Sequence, residues 1–205
     1  MAIILTTQDK ELLKQYYPKL NCSLSRKLVW GTLDFACSFD KSSQELFYDN
    51  SANDYLADSY EIRIDFNHFN TFGFPEVYES SGIIRAFAQK QGIKPEDFHI
   101  KENGEDSCCL GIFPEYQWRG VVFYIQEKVV PFFYWQSCRR IYGKEPWGSY
   151  SHRDNGIIEA MTILPPKASK GASRNLICPC GSGKKYKKCC MNRDAFLKSK
   201  LGEGH

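Results

Sequence analysis

The chain has 205 residues, 42% of them hydrophobic and 15% aromatic, which is enough apolar material for a packed core and excludes wholesale disorder. No apolar run approaches the ~18 residues that span a bilayer, and the start, "MAIILTTQDKELL", lacks the basic flank of a signal peptide, so a cytoplasmic protein is expected. The net charge of +3 conceals an asymmetry: from Pro165 onward ten Lys or Arg face two acids, a net of +8, which leaves the first 164 residues at −5. Such a basic tail suits an acidic protein, a ribosomal surface or nucleic acid, or it serves simply as a solvated end.

"TTQDKELLKQYYPKL" predicts a first helix. Thr6 or Thr7 caps it, an acid sits in its first turn, Leu12, Leu13, Tyr16 and Tyr17 give an apolar side, and Pro18 ends it. The period then changes to two. "RKLVWGTLDFACSF", "QELFYD" and "SYEIRIDFN" are rich in β-branched and aromatic residues, with Ile62, Ile64 and Phe66 on one face and Arg63 and Asp65 on the other. "FGFPEVYES" adds a short strand after Pro75, so a meander of four antiparallel strands is expected. A short helix and a connection follow in "SGIIRAFAQKQGIKPEDFHI". The apolar stretch "YQWRGVVFYIQEKVVPFFYWQSCRRIYG" predicts a long helix, kinked or broken near Pro131 and stopped at Gly143. "IIEAMTIL" reads as a last short helix and "PPKASKGASRN" as a linker by composition. Helix, meander, loop and helices in that order give an α+β fold.

Nine cysteines need an account, because disulfides are rare in the cytosol and metal binding or catalysis is the usual alternative there. Four fall within thirteen residues. In "LICPCGSGKKYKKCCMNRD", Cys178 and Cys180 are followed after eight residues by Cys189 and Cys190. Four thiolates make a closed tetrahedral Zn²⁺ site of the structural kind, and the four lysines between the pairs offset its charge and favour thiolate. Two disulfides are the competing reading, disfavoured by the strain of a bridge between adjacent cysteines. The stretch resembles the SEC-C motif, the small zinc-binding module at the end of the bacterial translocase motor, and it matches C-P-C-G-S-G-x-K-x-K-x-C-C at every position. The resemblance implies a docking appendage for partner proteins or the ribosome. "CGSGKK" also looks superficially like a phosphate loop, but its glycines lie between the expected metal ligands.

The remaining conspicuous pair is Cys108 and Cys109, in "HIKENGEDSCCL". The order of elements in residues 1 to 163 resembles the ubiquitin-conjugating enzyme fold. In that family a His-Pro-Asn motif lies ten residues before the active cysteine, which a leucine follows. His99 plus ten is Cys109, Leu110 follows, and Asn103-Gly104 falls where the family often turns. The segments "NGEDSCCL" and "PWGSYSHRDNGIIE" resemble those of bacterial conjugating-enzyme-like proteins from antiphage (CBASS-type) operons. Here Ile100 and Lys101 follow His99, so the family's oxyanion-stabilising asparagine has no matched position.

The resemblance implies a conjugating-like catalytic domain over 1–163, a linker over 164–174, the zinc module over 175–195 and a tail over 196–205. It implies a transferase in which Cys109 forms a thioester with the C-terminus of a partner, such as a cGAS-like nucleotidyltransferase, and passes it to an amine. His152 then assists as base or donor, and His99 orders the active loop. Cysteine suits that task because its thiolate is a strong nucleophile and its thioester stays reactive to amines. Cys22, Cys37 and Cys138 fall in helix or strand patterns and are expected in the core. Two rivals use the same features: a non-enzymatic adaptor docked through the zinc module, and a Cys-His peptidase that trims a partner's tail.

Overall fold

The computed structural model describes residues 3–40, 45–48, 55–70, 73–101, 105–111, 117–147, 172–175, 184–188 and 191. The chain forms two compact units, one of Met1–Leu110 with Gln117–Gly148 and one of Gly111–Tyr116 with Ser149–His205. The expected helix "IIEAMTIL" lies outside the described residues.

The first unit is α+β. Helix α1 spans Thr7–Tyr16 and is capped by Thr6, whose hydroxyl accepts from the Asp9 amide at 3.1 Å while the Asp9 carboxylate accepts from the Thr6 amide at 2.9 Å. This reciprocal capping box satisfies amides that the first turn leaves open. Leu13 is fully buried, Leu12 and Tyr17 are half-buried, and Tyr16 stays exposed, so the helix meets the core along a narrower stripe than its sequence predicts.

Strands β1 (Leu20–Ser23), β2 (Leu28–Asp40), β4 (Leu56–Phe69) and β5 (Pro75–Glu79) make an antiparallel sheet in the order β1-β2-β4-β5, and the short β3 (Glu45–Phe47) pairs with the far end of β2. A four-strand meander is therefore present, but its members differ from the sequence reading. The "QELFYD" segment supplies only the three-residue β3 off the main path, and the unpredicted β1 takes the outer place. Four residues long, β1 offers too little alternation to be recognised, and it is held by its register on β2, with Leu20 opposite Gly31. At Gly31 (φ +129°) a Cβ would stand 2.4 Å from the Lys19 carbonyl, so only glycine fits where the two strands meet.

Along β4, Tyr60, Ile62, Ile64 and Phe66 are buried while Ser59 and Glu61 are exposed, the two-residue period of a sheet with one face against a core. The other side of that core is helical from Val121 to Tyr142: α3 (Val121–Tyr124), a π turn (Ile125–Val129) and α4 (Val130–Tyr142). Phe133 of α4 is fully buried, with its ring 4.6 Å from that of Tyr60. The irregularity expected near Pro131, a kink or a break, takes the form of a widened turn just before it, in which the Val130 amide donates to the Ile125 carbonyl five residues back. Proline lacks an amide and its ring crowds the carbonyl four residues earlier, and a π turn absorbs both defects without breaking the helix. Gly143, at φ +64°, ends α4 as expected. No helix among the described residues is long and apolar enough to cross a membrane.

Candidate functional site

Helix α2 (Ile83–Lys90) and a 3-10 turn (Pro95–Phe98) lead from β5 to His99. His99 is held at φ +57°, a left-handed conformation that reverses the chain after the turn. The chain then leaves along Ile100 and Lys101 and returns as Glu105 to Cys109. The returning segment docks between β5 and the outgoing one. On one side the Cys108 amide donates to the Val77 carbonyl at 2.7 Å and the Glu79 amide to the Asp106 carbonyl at 3.0 Å. On the other, the Lys101 amide donates to Ser107 at 2.8 Å and the Cys109 amide to the His99 carbonyl at 2.7 Å. Antiparallel bridges pair Tyr78 with Ser107 and Ile100 with Cys108.

Successive side chains on an extended segment point to opposite faces. Cys108 therefore enters the core, at 5% exposure, and Cys109 is exposed. The two thiols do not share a face: one packs and one is presented. Burial pushes the Cys108 thiol well above its ordinary range, and Glu79, Cys109, Asp106 and Glu76 reinforce the shift. Cys108 is thus a neutral thiol at physiological pH, and the thiol available for chemistry is Cys109.

The segment is fastened by charge as well. The Lys101 ammonium meets Glu76 at 2.7 Å and the Ser107 hydroxyl donates to the same carboxylate. Arg63 meets Glu105 at 3.0 Å, and Arg85 Nε donates to Asp106 at 2.6 Å. Buried Glu79 faces the start of α2, accepting from Ser81 and, at 3.4 and 3.3 Å, from the Ile83 and Ile84 amides. Cys109 thus stands exposed on a short strand tied at both edges.

Of the residues singled out from sequence, His99 and Cys109 are brought together, through backbone. The His99 ring meets the ring of Trp135 edge-on at 5.5 Å. His152 and the four terminal cysteines Cys178, Cys180, Cys189 and Cys190 lie outside the described residues, and among the described residues no group of His, Cys, Asp and Glu is arranged to hold a metal ion. Cys37 and Cys138 are buried and Cys22 is half-buried. Burial, and then Cys138 nearby, push the Cys37 thiol up to about 12.

Sequence reasoning missed the contribution of α4. Gln136, at 2% exposure, donates from Nε2 to the Phe98 carbonyl at 2.6 Å. Arg139 donates to the Asp97 carbonyl at 2.8 Å and lies 3.9 Å over the Phe98 ring. A signal was available: Gln136 is a polar residue inside the apolar run "VVPFFYWQSC".

In the second unit, Ala172–Asn175 and Tyr186–Lys188 form 3-10 turns. Tyr186 is buried, while Arg174, Lys184, Lys185, Lys187 and Lys188 are exposed.

Comparison with known proteins bears on this unit. Residues 174–192 match the family model described as SEC-C motif. The similar curated proteins are protein translocase subunits SecA. That of Desulfovibrio desulfuricans is 49% identical over 47 residues, 23% of this chain and 6% of that protein. That of Trichlorobacter lovleyi is 73% identical over 45 residues, 18% of this chain and 5% of that protein. That of Geobacter sulfurreducens is 61% identical over 36 residues, 18% and 4% respectively. The chain spans only a small fraction of the length of these relatives, and the likeness falls on the C-terminal region. No solved structure matches the chain. The segment 174–192 is therefore a SEC-C motif, carried at the C-terminal end of an α+β body.

Proposed function

We propose that the protein is a ubiquitin-conjugating-like acyl carrier of bacterial antiphage defence. Cys109 Sγ would attack the activated C-terminal carbonyl of a partner protein, such as a cGAS-like nucleotidyltransferase. The carbon–sulfur bond forms as the activating group leaves, and activation is the work of a separate enzyme. An amine then attacks the same carbonyl carbon, the carbon–sulfur bond breaks, and Cys109 departs as thiolate while the amine loses a proton to His152 or to solvent. The observation that carries this reading is the presentation of Cys109: an exposed thiol on a strand fastened to β5 and to the His99 carbonyl, ten residues after that histidine. The α+β surroundings of that segment, a first helix, an antiparallel meander and a helical run from Val121 to Tyr142, support this reading.

Cys109→Ser tests it. An ester in place of the thioester would resist thiols and yield to base, and a thiol-labile adduct persisting on the serine variant would show that another residue carries the acyl group.

Within the SEC-C motif, Cys178, Cys180, Cys189 and Cys190 would hold one structural Zn²⁺. The donor set fits that ion: four soft thiolates, with Lys184, Lys185, Lys187 and Lys188 between the two pairs to offset the charge. The ion would fold the module, and the exposed lysines would face an acidic partner or the ribosome. Chelation is expected to release one zinc per chain and expose four titratable thiols, while the cooperative melting of the first unit persists. The same melting is expected after removal of residues 170–205. Loss of that transition in either experiment would show that the body depends on the module.

A further inference from the structure

The Cys109 amide is held by the His99 carbonyl, so whatever fixes residues 97 to 99 also fixes Cys109. We infer that three residues of α4, Trp135, Gln136 and Arg139, are the positioning residues of Cys109, acting through the backbone of residues 97 to 99.

The relay is short and continuous. Gln136 Nε2 donates to the Phe98 carbonyl at 2.6 Å, and one residue on, the His99 carbonyl accepts the Cys109 amide at 2.7 Å. Arg139 holds the preceding carbonyl, that of Asp97, at 2.8 Å, and its guanidinium lies over both the Phe98 ring (3.9 Å) and the Trp135 ring (5.2 Å). Trp135 closes the set by meeting the His99 ring edge-on and is itself fixed by donating from Nε1 to the Trp147 carbonyl at 3.1 Å. Two consecutive carbonyls and two consecutive rings on residues 97 to 99 are thus held by one turn of one helix.

Gln136 shows the direction of the arrangement. Its Oε1 is buried with no hydrogen-bond partner among the described residues, while its amide N–H is committed to Phe98. An apolar residue would fill the same place in a helix face otherwise made of Val129, Phe132 and Phe133 without stranding an acceptor. What the glutamine adds is the hold on the Phe98 carbonyl. His99 in its left-handed conformation then aims its own carbonyl at Cys109, and the helix, itself anchored on the sheet, transmits its rigidity to the thiol.

The inference deepens the acyl-carrier reading and rests on it, so its test has one readout that needs no acyl partner. In the full chain, Gln136→Met keeps the side chain's bulk and removes the donor. NMR-detected exchange of the Cys109 amide should quicken about tenfold, while amides of the β2–β4 ladder keep their wild-type rates. Discharge of the thiol-labile adduct to an amine should slow about tenfold with adduct formation still complete, since aim matters more to the second step than to the first. Gln136→His, which restores an N–H of similar reach, should recover both. Arg139→Gln, at the half-buried end of the clamp, should shift the same two quantities in the same direction. Unchanged exchange at Cys109, exchange that rises only in step with the β2–β4 ladder, or failure of Gln136→His to rescue would overturn the inference. Absence of any adduct on the wild-type chain would instead remove the acyl-carrier reading and leave the exchange comparison to decide the clamp.

Discussion

Iodoacetamide applied to the native protein should modify Cys109 at least about a hundredfold faster than Cys108, because access and thiolate fraction both enter the rate and Cys108 is deficient in both. Cys108 is 5% exposed and its thiol is held in the neutral form by burial and by the carboxylates of Glu79, Asp106 and Glu76, whereas Cys109 stands exposed one residue on. Fragment masses across "SCCL" resolve which sulfur is alkylated. In denaturant the contrast should collapse, since it belongs to the fold and not to the sequence. Comparable native rates at the two sulfurs would mean that the strand carrying them does not hold its register on β5. The assignment of the nucleophile would then fall with it.

Asp9→Ala should lower stability by about 3 kcal/mol, more than a surface cap alone would cost. Asp9 is 5% exposed and serves two helices. Oδ2 accepts from the Thr6 amide at 2.9 Å and the Thr6 hydroxyl at 2.6 Å, closing the capping box of α1. Oδ1 accepts at 2.9 Å from the amide of Val121, the first residue of α3. Alanine would remove the box, for roughly 1 kcal/mol, and leave the buried Val121 amide without its charged acceptor, for roughly 2 more. For a unit of this size the melting temperature should fall by about 6–12 °C. Asp9→Asn should lose less, because its one carbonyl oxygen can still serve either helix. Gly120 belongs to the same joint: a Cβ there would stand 2.9 Å from Asp9 Oδ1, at φ +113°. A fall of under about 2 °C for Asp9→Ala would mean that water replaces the carboxylate and that α1 and α3 are not fastened through it.

Much of this architecture was legible because it is written in local periods. The alternation of Ile62, Ile64 and Phe66, the cap at Thr6 and the stop at Gly143 each follow from neighbours a few residues apart. The SEC-C motif was legible for a different reason, since its spacing of donors and glycines is dense enough to identify residues 174–192 by themselves. β1 was not legible, because a four-residue strand owes its existence to β2. Nor was the π turn, since the sequence marks a kink or a break near Pro131 without saying which form the irregularity takes. At the candidate site, the resemblance to conjugating enzymes paired His99 with Cys109, and the structure brings their backbones together. The inward turn of Cys108 depended on which edge of Ser107 to Cys109 meets β5, and the hold of Gln136 on Phe98 spans 38 positions. Neither contact is a local property: a polar residue in an apolar run marks Gln136 but not its partner.

The central claim is that Cys109 carries an acyl group, and it is tested most directly by the non-reducing intact mass of the wild-type chain co-expressed with the genes that neighbour its own. The account predicts an added mass equal to one neighbouring protein less one water, removed by excess thiol and absent from Cys109→Ala. A wild-type chain that keeps its bare mass among its neighbours, with no neighbour shortened at its C-terminus, would contradict it and leave the protein as an adaptor that docks through its SEC-C motif.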